Sequence, residues 1–246
     1  MLIHADVKGL EVVTAAYLSG DKILCEEIKN GIDIHASNQE RFKLPDRIIA
    51  KILKFRIIYG GTGYSFSRDP DFMNVSRSED FWNDIITEYY NKYVGIAQWH
   101  KQLVDTVLRT GELIMPTGRI FPFNRIDVAK NTAKWRPKIL NYPVQGTGAD
   151  LVAIGRVTLW RRIKHLGLPC LFQSTVHDSI DLDVDNDLDL CYNICSIVEK
   201  SIQDIPVNFK RLFGVDFTLP VNCEIGFGPN LGELEKYDAK NHRSKS

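Results

Sequence analysis

The chain has 246 residues, 44% of them hydrophobic and 25% charged, long enough for a sizeable core and without the bias of collagen, long disorder or a disulfide-stapled miniature. Thirty-one basic and 31 acidic residues cancel, so net charge names no partner, although it does not describe how the charges are distributed. No apolar run reaches the roughly 18–20 residues of a membrane span; no basic-then-apolar leader opens the chain, and five cysteines without a CxxC pair read as free thiols of a reducing, cytoplasmic compartment.

In chain order, Leu2 to Val7 reads as a short buried strand carrying Asp6 at its end. Gly9 breaks it, and Leu10 to Leu18 reads as a helix. Asp46 suits the N-cap of a second helix running to Tyr59, which Gly60, Gly61 and Gly63 end. Two further helices are expected over Glu79–Tyr93 and Gly95–Arg109, then a hairpin-like excursion over Gly111–Asn124. Ala149 to His165 reads as a helix and Cys170 to Val184 as strand–turn–strand. There Val176, Ile180, Leu182 and Val184 share one face, and Asp181 and Asp183 the other. A helix over Asp187–Ile202 and a last strand over Phe217–Ile225 follow; Tyr237 to Ser246 is polar and expected to fray. Strands at both ends with helices between them make an α+β fold, a helical insertion between two parts of one sheet.

Charge is uneven along this chain. Six basic residues and one acid, Asp127, lie between Arg119 and Lys138; six aspartates and no base lie between Asp178 and Asp189. Such runs are solvated faces, or the surroundings of a phosphate ligand held beside a metal site. The alternating Asp181, Asp183, Asp185 and Asp187 invite an EF-hand reading, which fails because Asn186 stands where Gly is needed and Tyr192 where the bidentate Glu is needed.

The second helix carries the most information. Arg47, Lys51, Phe55 and Tyr59 are spaced by four, and each such step advances about 40° past a full turn, so they share one face. Ile49, Leu53 and Ile57 lie on the opposite, buried face. Two cations, a ring and a phenol in line could hold a triphosphate and stack a base; the plainer reading is an amphipathic helix with an exposed Phe. Asp6 at a strand end and Asp178 at a hairpin bend could hold two divalent ions on adjacent strands, or each be an ordinary turn residue.

The order of these pieces resembles the palm and fingers of a family A DNA polymerase, most like those of phages, over Ile3 to about Leu234. Asp6-Val7-Lys8-Gly9-Leu10-Glu11 resembles its first catalytic motif. Asp33-Ile34-His35 and the helix Arg47-x3-Lys51-x3-Phe55-x3-Tyr59-Gly60 resemble its nucleotide-binding fingers segment. Asn141-Tyr142-Pro143-Val144-Gln145-Gly146-Thr147 resembles the segment that touches primer and template, and His177-Asp178-Ser179 the second catalytic motif.

The resemblance implies template-directed transfer of a nucleotide from dNTP to a primer 3′-hydroxyl. Asp6, Asp178 and the Val7 carbonyl would hold two Mg²⁺, with Mn²⁺ as a substitute. Arg47, Lys51 and His35 would meet the phosphates, Lys51 acting on the charge of the leaving group. Phe55 would pack on the sugar and base, and Tyr59 would stack near the templating position. Glu11 would sit beneath the sugar's 2′ position and exclude a hydroxyl. Gly60, Asn141, Gln145 and His177 would contact DNA. The implied domains are palm over 1–34, mainly helical fingers over 35–137 and palm again over 138–246.

Single-subunit RNA polymerases are the near rival. They carry a small residue where Glu11 stands and no aromatic at Phe55, so the sequence favours dNTP. Three departures stand out: Val12-Val13 replace the usual Leu-Arg, Arg56 replaces a Gly and Ser179 replaces an acid. Thumb and exonuclease are absent from the pattern. A second polypeptide bearing the thumb and the remaining palm, with or without an exonuclease, is therefore expected as a partner beside primer–template DNA and dNTP, with no membrane. The absent palm portion would leave an unfilled sheet edge beside the first strand. A non-catalytic DNA- or nucleotide-binding assembly module is the alternative from another class, and a metal-dependent phosphohydrolase a third, which lacks a water-activating base beside the Asp pair.

Overall fold

The computed structural model describes residues 1–239; most of the polar tail expected to fray lies outside them. The element order is β1 (Leu2–Val7), α1 (Leu10–Ser19), α2 (Lys22–Lys29), α3 (Ile34–Arg41), α4 (Arg47–Ile58), α5 (Gly63–Phe66), α6 (Glu79–Lys92) and α7 (Val94–Thr110). There follow β2 (Glu112–Ile114), β3 (Ile120–Pro122), α8 (Arg125–Lys130), α9 (Thr132–Leu166), β4 (Cys170–Val176), β5 (Ser179–Val184), α10 (Leu188–Gln203), α11 (Ile205–Phe213), β6 (Cys223–Gly228) and β7 (Glu235–Lys236). The chain divides into two compact units: Met1–Leu10 together with the chain from Thr147 onward, and Glu11–Gly146. The expected boundaries at 34/35 and 137/138 both fall inside the second unit.

In the first unit, an antiparallel sheet has the order β4-β5-β1-β6-β7. Ile3, Ala5 and Val7 point into the core and are buried, while Leu2, His4 and Asp6 take the other face by strand alternation. β1 is flanked on both sides, Ala5 lying opposite Ile180 of β5 and Ile225 of β6. The unfilled edge expected beside it is thus not there: among the described residues the edges are β4 and β7. β4 exposes Leu171 (69%) and Val176, so Val176 does not share the buried face of Ile180, Leu182 and Val184 as expected. An irregularity between Phe172 and Ser174 shifts the register and sets Ser174 opposite Asp181. Asp181 is buried, with its carboxylate 2.6 Å from His4 Nδ1 and 2.5 Å from Ser174 Oγ. It is not a solvated member of an acidic face.

The last strand begins later than expected. Phe217, Leu219 and Val221 alternate as buried residues, but Pro220 has no N–H to give a ladder, and pairing starts at Cys223. Likewise α9 begins at Thr132, not Ala149. Pro137 and Pro143 lie inside it; each removes one helical hydrogen bond, and burial of Ile139, Leu140 and Val144 holds the turn together.

The second unit is mainly helical. α2 and α3 were not evident in the sequence. They are tied by a buried polar cluster in which Lys92 Nζ of α6 lies 2.8 Å from Glu27 Oε1 and from Asn38 Oδ1. Gly111, at positive φ, caps α7 and leads into the expected hairpin, β2 paired with β3.

Candidate active site

Asp6 is the last but one residue of β1, and Asp178 sits in the two-residue turn between β4 and β5. Val176 and Ser179 pair across that turn, and Asp6 lies opposite Ser179. The Val7 amide donates to the Asp178 carbonyl at 3.1 Å, which fastens the turn to the end of β1 and makes the two aspartates neighbours. His177, the exposed residue before Asp178, has φ 55°. A non-glycine residue rarely adopts that conformation, and it persists where surrounding structure enforces it. Both carboxylates are half-buried. Two carboxylates and the Val7 carbonyl are hard oxygen donors, the chemistry that suits Mg²⁺, which is held by one or two carboxylates while water and substrate phosphates complete its shell. Among the described residues no group of three or more His, Cys, Asp or Glu could enclose a metal by itself.

In the second unit, Asp46 caps α4 by accepting from Ile49 N at 2.8 Å. Ala50, Leu53, Lys54, Ile57 and Ile58 form its buried stripe. Arg47 and Lys51 are exposed on the other side, with Phe55 and Tyr59 half-buried after them. Arg47 Nε donates to Asp33 Oδ2 at 2.8 Å. Asp33 in turn caps α3 through the amides of His35 and Ala36, and its carboxyl is held below the usual range, by Arg47 first. The His35 ring lies 6.3 Å from the Phe55 ring, centroid to centroid. Burial, and then the cations Lys54 and Arg47, pull His35 down to about 4, so it is a neutral imidazole at working pH. Its Nδ1 is buried without a partner among the described residues.

Lys54 is a member of the site region that sequence reasoning missed. It is only 2% exposed, its Nζ lies 5.2 Å from the centre of the Phe55 ring, and burial pulls it down to about 7 against the opposing pull of Glu27. The available signal was its place on the apolar arc of α4, between Ala50 and Ile57.

At the end of α4 the Tyr59 hydroxyl donates to Glu11 Oε1, and Gln145 Nε2 donates to that same oxygen at 2.6 Å and to the Tyr59 oxygen at 2.7 Å. Three residues expected in separate roles, 2′ exclusion, template stacking and DNA contact, form one network. Gly60 follows at φ +82°, and a Cβ there would meet Leu140 Cδ1 at 3.0 Å, so both conformation and space favour Gly. Asn141 carries a buried Oδ1 without a partner among the described residues. Arg56, where the resemblance leads one to expect Gly, pairs with Asp69 at 2.7 Å and Asp71 at 3.8 Å, which ties α4 to the loop after α5.

The chain belongs to DNA polymerase family A, whose model matches residues 1–233. It is similar to DNA polymerase I of Chloroflexus aurantiacus, 24% identical over 94% of this chain and 24% of the relative. It is also similar to the thermostable DNA polymerase I of Thermus filiformis, 29% identical over 96% of this chain and 27% of the relative, and to DNA polymerase I of Geobacillus stearothermophilus, 23% identical over 98% and 26%. The chain thus spans about a quarter of the length of these curated relatives. Its fold is that of the POL domain of Pol1 from M. smegmatis, described in complex with DNA primer-template and dNTP. The TM-score is 0.77 at 20% identity, over 92% of this chain and 39% of that one. The architecture is therefore α+β, a polymerase palm sheet with an inserted, mainly helical subdomain.

Proposed function

We propose that this member of DNA polymerase family A performs template-directed nucleotidyl transfer from dNTP to a primer 3′-hydroxyl. The observation that carries the reading is the Val7–Asp178 backbone bond, which makes Asp6 of β1 and Asp178 of the β4–β5 turn neighbouring residues. These carboxylates and the Val7 carbonyl would hold a pair of divalent ions, Mg²⁺ or Mn²⁺. Such ions, when bound, lower the barrier by activating the attacking oxygen and stabilising the leaving one. Arg47 and Lys51 present exposed charge to the triphosphate, with Lys51 near the pyrophosphate oxygens. The unpartnered Nδ1 of His35 supports its assignment as a further phosphate contact. Phe55 packs on the incoming sugar and base, and Glu11 closes the space a 2′-hydroxyl would need. Gly60, Asn141, Gln145 and His177 face primer–template DNA.

A non-catalytic DNA-binding module would keep the cations of α4 but has no use for paired carboxylates. The finer reading that a second polypeptide takes part has in its favour the open β4 edge with exposed Leu171 and Val176. Primer extension by this chain alone, set against mixtures with candidate partners, tests it. No helix among the described residues is long and apolar enough to cross a membrane. The test of the main reading is magnesium-dependent single-nucleotide incorporation on a recessed primer by the wild-type chain and by Asp6→Ala. Incorporation abolished in the variant supports it, and equal incorporation by both rejects it.

A further inference from the structure

Within the mainly helical unit, the row of cations on α4 has a third member. Lys54 stands seven residues after Arg47 and three after Lys51, which sets it about 20° from the one and about 60° from the other around the helix. It lies where that row meets the buried stripe, and its side chain is buried. Its Nζ is 5.2 Å from the centre of the Phe55 ring, within the range of a cation–π contact. Phe55 in turn packs 6.3 Å from the His35 ring.

What Lys54 lacks is an anion. The charges that reach it are those of Glu27 on α2, Lys51 on α4, Asp33 at the cap of α3 and Glu11 on α1, and His35 on α3 feels Lys54 in return. Every one of those carboxylates is engaged elsewhere. Glu27 holds Lys92 at 2.8 Å and accepts from the Tyr93 hydroxyl at 2.7 Å. Asp33 holds Arg47, and Glu11 accepts from Tyr59 and Gln145. Among the described residues no carboxylate pairs with Lys54. A buried ammonium without its own counter-charge is costly, and burial pulls this one down to about 7. If packing were its only task, Met would fill the space without that cost. The neighbouring cations Arg47 and Lys51, and the buried Nδ1 of His35 without a partner among the described residues, leave this side of α3 and α4 short of negative charge. A ligand with several negative charges supplies it.

We propose that Lys54 is a positioning residue of the nucleotide site, whose charge follows occupancy by the triphosphate and steadies the Phe55 ring once the nucleotide is bound. It acts through its field and through Phe55, not by contact. The proposal deepens the reading of α4 as the face that takes dNTP, and rests on it. The coupling is reciprocal: an anion that binds better when Lys54 is charged draws a proton onto it. The empty site gives up that proton above about 7, while nearby phosphate charge favours the ammonium and keeps the proton to higher pH. Between those limits binding takes up a proton, so affinity falls as pH rises.

The test titrates the full chain with dTTP and Mg²⁺, without primer, by calorimetry at pH 8 in Tris and in HEPES, whose different ionisation heats report the protons exchanged. At that pH His35, held at about 4, and the terminal phosphate, near 6, are both in their basic forms. The wild-type chain should take up roughly half a proton or more, and its Kd should rise about tenfold or more from pH 7 to pH 9. Lys54→Met should take up none and keep a nearly constant Kd over that range. Lys54→Arg, whose guanidinium stays charged, should also take up none, yet bind at pH 9 at least as tightly as wild type. Equal proton uptake by wild type and Lys54→Met, or a wild-type Kd as constant as that of the variant, overturns the proposal. Lys51→Ala separates this failure from that of the underlying reading. Binding weakened by Lys51→Ala but without proton uptake in the wild type keeps the nucleotide site and rejects the role of Lys54. Binding indifferent to Lys51→Ala, or no binding, rejects both. Lys54-dependent proton uptake by a chain that incorporates nothing on a recessed primer keeps the Lys54 coupling and rejects the polymerase reading.

Discussion

Tyr59 and Glu11, 48 residues apart, share a hydrogen bond that Gln145, 86 residues beyond Tyr59, completes from a third helix. Burial and the adjoining Glu11 carboxylate push the Tyr59 phenol far above its ordinary range, so it stays a donor at any working pH. The carboxylate proposed to exclude a 2′-hydroxyl is thereby fixed to the end of the helix that carries Arg47 and Lys51.

Glu11→Ala should raise the ratio of ribonucleotide to deoxyribonucleotide incorporation, because the proposed gate is steric. It should also lower Tm by several degrees. Each hydrogen bond to a charged acceptor is worth about 1.5–3 kcal/mol, and about 1 kcal/mol shifts Tm by roughly 2–4 °C in a chain of this size. Glu11→Gln should recover most of the stability. Competitive incorporation assays and thermal melts check both, and an unchanged nucleotide ratio in Glu11→Ala rejects the gate.

Asp6→Ala and Asp178→Ala should each abolish incorporation while primer–template affinity stays near wild type, since each removes a donor from the proposed metal pair. Activity within a few-fold of wild type in either variant would falsify the assignment.

Arg47→Ala and Lys51→Ala should raise the KM for dNTP roughly ten- to a hundredfold, at about 1.5–3 kcal/mol for each charge-assisted hydrogen bond removed. Steady-state kinetics at saturating DNA read this directly. A change confined to DNA affinity would place the helix on the wrong substrate.

Lys54 makes stability depend on pH in a defined direction. Burial lowers it from 10.5 to about 7, so between those values the unfolded chain holds a proton that the folded chain has released. Stability from this group therefore rises with pH across that window, and the full cost of its burial is present below about 7. Lys54→Met should raise Tm most at pH 6–7, by an amount on the order of a few kcal/mol in stability, with the gain shrinking toward pH 10. Melts of both chains across that range decide it; a gain that is constant with pH would place the Lys54 ammonium in water.

The helix and the hairpin that carry the candidate residues were legible because their signals are local. Asp46 as cap, apolar residues at helical spacing and Gly60 at positive φ all lie within one short stretch and fix α4 without reference to the rest of the chain. The β4–β5 hairpin with Asp178 at its bend was legible for the same reason. Where the expectation failed, packing overrode a local rule. The helix expected from Ala149 begins at Thr132, and buried neighbours carry α9 through Pro137 and Pro143. Phe217 to Val221 alternates as a strand should, but Pro220 leaves it without a ladder.

What the sequence by itself offered is a set of candidates: an Asp near a strand end and another at a hairpin bend, two cations and a ring on one helical face, and a Glu in the first turn of α1. What the tertiary structure decided is the partners each takes within its own unit. β1 became a central strand only by pairing with β5 and β6, which lie near the other end of the chain. Asp181 took His4 and Ser174 as partners, and Lys54 was buried under the helix whose other face holds the exposed cations. Neighbouring residues encode propensity and periodicity. Partners a hundred or more residues apart are chosen by which apolar faces bury together and which buried polar groups are satisfied as they do.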